Sequence, residues 1–414
     1  MKTVICIFED EEYSNLLPIT YLRPSYDLRC GILTLREKII SRLPNRKFIF
    51  HCRKYLSNVL SERYLKTTIN NFDFESILFI NGRILIDNYF INRCKKLKDN
   101  SALINSDGVF VAVNLTSSEI KNLVNISDEF LLFNKLTNLV KIETQAKLVN
   151  YTWDLVNFNG EEIVKDFDLF AKRISKSDLN KYHSVEVKNM NNIYIDKSTV
   201  VDPFVYLDAT DGPIFIGSNV HIMSHSAIQG PAFIGDNSII KTHTSIYHST
   251  SIGEVCKVGG EIENSIIHSH ANKQHDGFLG HSYLSSWVNL GASTNNSDLK
   301  NNYRNISVLL NGKTVDTKSQ FVGLIMGDHS KTAINTMFNT GSVVGVSSNV
   351  FGSGFPPKYI PSFSWGGSDS LVTYNFNKAL QVAKLVINRR NMNLSDAETE
   401  LLGKVFELTI PERT

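Results

Sequence analysis

Aliphatic residues recur at every sixth position along one stretch of this chain: Ile216, Ile222, Ile228, Ile234, Ile240, Ile246, Ile252 and Val258. Neither the 3.6-residue period of a helix nor the alternation of an ordinary strand gives that spacing. Four positions after the first seven stand Val220, Ser226, Ala232, Ser238, Thr244, Thr250 and Cys256, mostly small residues. A hexad of this kind marks a parallel β-helix, in which no coil can bury its apolar edge alone and each must stack on its neighbours. A second run, Met326, Thr332, Phe338, Val344 and Val350, resumes the period. The solenoid is therefore expected from about residue 195 to about residue 364.

That accounts for less than half of the 414 residues, so a second domain must precede it. Short aliphatic runs at Val4 to Phe8, Lys47 to His51, Ile77 to Ile80 and Val109 to Val113 read as strands. Thr34 to Leu43 and Ser118 to Val124 carry a helical period between them. The pattern is that of an α/β unit with a mainly parallel sheet, whose ligand belongs at the carboxyl ends of the strands.

Lys and Arg together number 43 against 41 Asp and Glu, with no basic run of the kind that binds nucleic acid or a membrane surface. Small molecules or copies of the chain itself are the expected partners. Five scattered cysteines, without a CxxC pair, suit a reducing compartment. The opening MKTVICIFED reads as a strand running into acids rather than as a leader or a membrane span, so the cytoplasm is the expected location.

The loop after the first strand, LLPITYLRPSYDLRCGILTLREKI, holds Arg23, Arg29, Arg36 and Lys38 beside a helix start. Guanidinium forks and free backbone N–H groups converging there suit a phosphate, although a solvated basic face reads the same way. Asn81-Gly82-Arg83 places a polar turn at the end of a later strand. Together, Arg23-Pro24 in a long basic loop and the FINGR strand end resemble the sugar-1-phosphate nucleotidyltransferases, a Rossmann-like fold, and more closely their variant branch fused to a left-handed β-helix. In the commoner branch the loop is glycine-rich and the later strand ends in Gly-Asp, whose Asp holds Mg²⁺. An amide at Asn81 suits that hard cation poorly. The resemblance therefore leaves Asp154 and Asp166 as candidates for the metal, or else as a loop acid and a helix-capping acid.

Past Val258 the hexad gives way to a stretch dense in Asn, His, Ser and Gly, where a solenoid carries function on coils that position it. Leu279-Gly280 and Asn289-Leu290-Gly291-Ala292-Ser293-Thr294, with His275 upstream, resemble the acetyltransferase half of the bifunctional UDP-N-acetylglucosamine pyrophosphorylase and glucosamine-1-phosphate N-acetyltransferase family. The resemblance makes His275 the base that takes a proton from the amino group, a task suited to an imidazole. Around it, Lys273 would hold the sugar phosphate, Asn289 the sugar hydroxyls and Tyr303 the sugar face. Asp298 would orient the amine, and a backbone N–H near Ala292 would meet the oxyanion. Ser330 and Lys331, in the second run of coils, would contact acetyl-CoA.

A different class is also readable. Eight of the 11 histidines lie between His221 and His281, and the spacing of His243 and His248 resembles the γ-class carbonic anhydrases, trimeric left-handed β-helices with zinc between subunits. At the far end, Asn377 to Arg390 has helical spacing, and Ser395 to Glu398 reads as a capping box opening a second helix. Both helices are expected to cover the open end of the solenoid.

The expected organisation is a nucleotidyltransferase-like domain over 1–190, a left-handed β-helix acyltransferase domain over 191–366 and a helical cap over 367–414. The resemblance implies a bifunctional homotrimer that acetylates glucosamine-1-phosphate from acetyl-CoA and transfers a uridylyl group from UTP, with Mg²⁺, to the product. The alternative keeps the acyltransferase and makes the front domain a nucleotide-sugar-binding module without catalysis.

Overall fold

The structure, a computed structural model, describes residues 4–171 and 182–413. Seven front strands form one sheet: β1 Val4–Phe8, β2 Phe48–His51, β3 Thr68–Ile69, β4 Ser76–Asn81, β5 Ser101–Ile104, β6 Phe110–Thr116 and β7 Val140–Glu143, in the order β3-β2-β1-β4-β6-β5-β7. The pairs among β3, β2, β1 and β4 are parallel, while β6 runs against both of its neighbours. Strand β1 is buried along its whole length, as its unbroken VICIF requires of a strand covered on both faces. The first helix, α1 (Leu35–Arg42), opens on a Thr34–Glu37 capping box.

The solenoid has three faces, with six, five and nine stacked parallel strands in its main run. The hexad column maps one residue to each face in turn: Ile216 pairs with Ile234 and Ile234 with Ile252, Ile222 with Ile240 and Ile240 with Val258, and Ile228 with Ile246. All eight are essentially unexposed, and burial of such a side chain contributes about 2 kcal/mol. The small column is buried as well. Ser238 donates to the Gly253 carbonyl of the next coil at 2.9 Å, so its hydroxyl is satisfied where no water reaches.

The repeat does not stop after Val258; it shortens. Ile252 pairs with Ile267 and Val258 with Lys273, so a coil loses three residues while the stack continues. Lys273 thereby takes an interior position that an aliphatic residue fills one coil earlier. What leaves the stack is the segment near 299–321, including an antiparallel hairpin of Ser307–Leu310 and Lys313–Asp316.

Front domain and solenoid share a core. Leu16, Leu28, Leu35 and Trp153 pack with Ile266, Tyr283, Ile325 and Val343 of the nine-stranded face. The backbone N–H of Arg29 donates to the Tyr283 hydroxyl at 3.1 Å, and Asn159 donates to the Ser249 carbonyl at 2.8 Å. The C-terminal helices α6 (Phe376–Asn388) and α7 (Asp396–Leu408) differ from the expected simple cap. They bury Ala383, Leu401 and Val405 with Leu56 and Leu60 of the front domain as well as with Val346 and Phe363 of the late coils. They brace the first part of the chain against the last. Among the described residues no helix is long and apolar enough to cross a membrane.

Candidate functional sites

The strand ends of the front domain are closed by ion pairs. Beyond β1, Glu9 meets Arg53 at 2.9 Å with both side chains fully buried. Asp10 is held by the Arg83 fork, Nε at 2.8 Å and a terminal nitrogen at 2.7 Å, while the Asn81 amide donates to the same carboxylate at 2.7 Å. Gly82 is required there, because a Cβ would stand 2.8 Å from the Tyr26 side chain. Asn81-Gly82-Arg83 thus sits at the carboxyl end of β4, as expected, but its visible work is to lock Asp10. Beside it lies a crevice of about 280 Å³ lined by Glu9 to Glu12, Phe110, Phe130 and Phe133, with no Lys or Arg among its lining residues. A polyanion gains nothing from such walls.

The basic loop turns away from those strand ends toward the solenoid. Arg23 is buried and grips Asp328 from both terminal nitrogens, one of them at 3.1 Å, and adds Ser286 at 3.1 Å. Arg29 pairs with Glu254 at 2.6 Å, and Arg36 with Asp27 at 2.7 Å under the Tyr64 ring. Lys38 is fully buried between Asp166 at 2.5 Å and Glu162 at 2.9 Å. The four cations expected to share one phosphate are therefore divided among separate carboxylates.

The metal candidates fare similarly. Asp166 also accepts from the backbone N–H groups of Ile32 and Leu33, each at 3.1 Å. Asp154 accepts from Asn150 and Tyr151 at 2.8 and 2.9 Å, as an acid at the start of α5 (Thr152–Ala171) does. Twelve residues apart on that helix, the two stand about 18 Å apart along its axis. They do not make a Mg²⁺ site, and among the described residues no group of three or more His, Cys, Asp or Glu converges on a metal position. His243 and His248 are likewise separated: His243 stacks on His225 at 5.0 Å, whereas His248 points toward Glu263 at 4.0 Å.

A cavity of about 380 Å³ opens where front loop, solenoid and C-terminal helices meet, lined among others by Arg23, Arg29, Arg36, His268, Trp287 and Leu401. His270 and Trp287 stack at 4.3 Å along one wall, at successive coil corners. Burial pushes the His329 imidazole down to about 3, and nearby Lys331 and Arg23 add to the shift. His268 is also lowered, by burial and by Arg23 and Arg29. These rings are neutral at ordinary pH, and the Nδ1 of His329 is buried without a partner among the described residues.

The shortened coils hold the remaining expected residues. His275 is exposed at a corner, and among the described residues only its carbonyl is engaged. Lys273 points inward rather than toward a sugar phosphate: its ammonium donates to the carbonyls of Gly259, His275 and Asp276 at 2.9, 3.0 and 3.3 Å, and burial lowers it to about 8. Asn289 lies between Asn272 and the Lys331–Thr332 strand. The Ala292 carbonyl accepts from Asn335 at 2.8 Å. Ser330 is buried, its hydroxyl bonded to Gly345, so it offers nothing to a ligand outside. Lys331 donates to the His329 carbonyl at 2.7 Å, with its ammonium lowered by burial to about 8. Tyr303 is exposed.

Asp298 has a partner that the sequence reading missed. Its carboxylate lies 2.8 Å from Nδ1 of His281, whose ring stacks on Phe321 at 4.8 Å. The signal was present. The two are 17 positions apart, close to one coil, the same separation that joins Ser293 to Asp276 and Asn272 to Asn289.

Residues 5–174 match the family model described as Sugar nucleotidyl transferase. A bifunctional sugar-1-phosphate nucleotidylyltransferase/acetyltransferase of Sulfurisphaera tokodaii is 27% identical over 104 residues, 25% of this chain and 26% of that protein, so the chain spans about a quarter of that relative's length. Among solved structures, the UDP-N-acetylglucosamine acyltransferase of Francisella novicida is 16% identical with a TM-score of 0.31, over 55% of this chain and 78% of the other. A putative acetyltransferase of Bacillus cereus is 11% identical with a TM-score of 0.21, over 54% and 96%. The front domain thus resembles the sugar nucleotidyl transferases, and a hexapeptide-type parallel β-helix follows it.

Proposed function

We infer that this chain is a two-part sugar-nucleotide transferase of the cytoplasm. Its solenoid acetylates the amino group of glucosamine-1-phosphate from acetyl-CoA, and its front domain transfers a uridylyl group from UTP to N-acetylglucosamine-1-phosphate, in a homotrimer. The observation that carries this reading is the joining of a front domain that matches the sugar nucleotidyl transferase family model, through a shared core and a buried ion pair, to a solenoid whose coils shorten around several imidazoles. For acetyl transfer the resemblance assigns the base to His275, the most open of those rings.

A second reading has its own support. The Asp10–Arg83 pair and the acidic crevice beside it count against nucleotidyl transfer at those strand ends, and so support the acyltransferase joined to a front domain without catalysis. Purified protein supplied with acetyl-CoA and glucosamine-1-phosphate should release free thiol; the same protein with UTP and N-acetylglucosamine-1-phosphate should release pyrophosphate. Thiol without pyrophosphate selects the second reading, and neither product overturns both.

A further inference from the structure

A nitrogen base needs its ring held in one tautomer with the free nitrogen facing out, and a second group usually does the holding. In this protomer His281 has that arrangement. Its Nδ1–H donates to Asp298 at 2.8 Å, which leaves the Nε2 lone pair as the acceptor, and Nε2 has no partner among the described residues. Both side chains are about 15% exposed, enough for a substrate to reach and little enough for the pair to stay ordered.

The surroundings are built around this pair. Asn296 clamps Gly280 from both sides, accepting from its N–H at 3.1 Å and donating to its carbonyl at 3.0 Å. Asp298 then packs against the Cα of Gly280, where a Cβ would collide with its carboxylate. Phe321, returning from the excursion between the coils, lies flat on the imidazole, and Val322 donates its N–H to the Asp298 carbonyl at 3.0 Å. Another His–Asp pair, His221 and Asp202 at 3.1 Å, sits on the regular coils at 40% and 30% exposure with no stacked ring, and makes a natural comparison.

We propose that His281, oriented by Asp298, is the proton acceptor of the acetyl transfer. This rests on the reading of the solenoid as an N-acetyltransferase and changes which imidazole serves it. The sugar ammonium gives one proton to Nε2, which passes it to water. The freed lone pair closes an N–C bond on the thioester carbonyl, the adduct collapses with cleavage of the C–S bond, and the second nitrogen proton leaves with sulfur as the thiol. Asp298 acts through the ring and is a positioning residue.

Thiol release from acetyl-CoA and glucosamine-1-phosphate is measured for the wild type, His281→Ala, Asp298→Ala, His275→Ala and, as the comparison, His221→Ala. His281→Ala should lose about a hundredfold or more in kcat and recover part of it with added imidazole, which a merely structural lesion does not. Asp298→Ala should lower kcat with little change in KM, and His221→Ala should match the wild type. An active wild type with His281→Ala unaffected, or loss confined to His275→Ala, overturns the assignment. A silent wild type overturns the acetyltransferase reading itself. Should His281→Ala fail to fold, His281→Gln with the same rescue decides between the same outcomes.

Discussion

Arg23 and Asp328 stand 305 positions apart in sequence and meet as a buried pair, the guanidinium fork on the carboxylate with side chains 7% and 2% exposed. The loop that reads as a phosphate site is thereby fastened to the second run of coils. Removing one partner strands a charge in a low-dielectric contact. Asp328→Ala should cost about 3–5 kcal/mol, read as a shift in the denaturant midpoint, whereas Arg23→Met combined with Asp328→Leu should recover most of it. Loss below about 1 kcal/mol in the single variant would show the pair to be solvated.

Acid should weaken the fold through its buried imidazoles, one at the junction and one in the front sheet. The folded ring of His329 is depressed to about 3 and that of His51 to about 4, while an unfolded imidazole titrates near 6.5. Between those values the unfolded chain binds more protons, so stability is retained above about pH 6.5 and is lost as pH falls toward the folded values, by up to about 1.4 kcal/mol per pH unit for each ring. Urea midpoints at pH 7, 6 and 5 should fall more steeply for the wild type than for His329→Gln. Parallel slopes would mean that the ring is protonated in the folded state.

Mg²⁺ alone should leave the melting temperature unchanged. Asp10 is occupied by Arg83, Asp166 by Lys38, and Asp154 by two backbone N–H groups, so no pair of these carboxylates is free to bind a hard cation. Chelator and millimolar Mg²⁺ compared in the same scan provide the check. A rise of several degrees with the metal alone would reveal a carboxylate site that these pairings hide.

The parts of this fold that could be read ahead were those governed by local repetition. A six-residue column has no competing secondary structure, and the unbroken apolar runs of β1 and β4 declare a covered sheet. The partners of the cations could not be read in that way. Arg29 finds Glu254 and Arg23 finds Asp328 only because the front domain docks on the solenoid, and no spacing rule carries that information. His281 and Asp298 stand between these cases, since stacking fixes their separation near one coil but a shortened coil shifts the count.

Lys273 offers the sharpest test of how the shortened coil is held together. Its ammonium occupies the interior column and bonds three carbonyls at the corner that carries His275, while burial lowers it to about 8 against about 10.4 for an unfolded lysine. Between those two values the unfolded chain binds the extra proton, so stability should rise as pH increases from about 8 to about 10.4, by up to about 1.4 kcal/mol per unit. Lys273→Met removes both the proton linkage and the donors. It should lower the midpoint at pH 9 by an amount in the range of about 1–3 kcal/mol for carbonyls left unpaired, and its stability should lack the rise that the wild type shows over that window. Should the two proteins differ by the same amount at pH 8 and pH 10, the ammonium is not buried in the folded coil, and the continuous stack of Val258 on Lys273 would have to be abandoned.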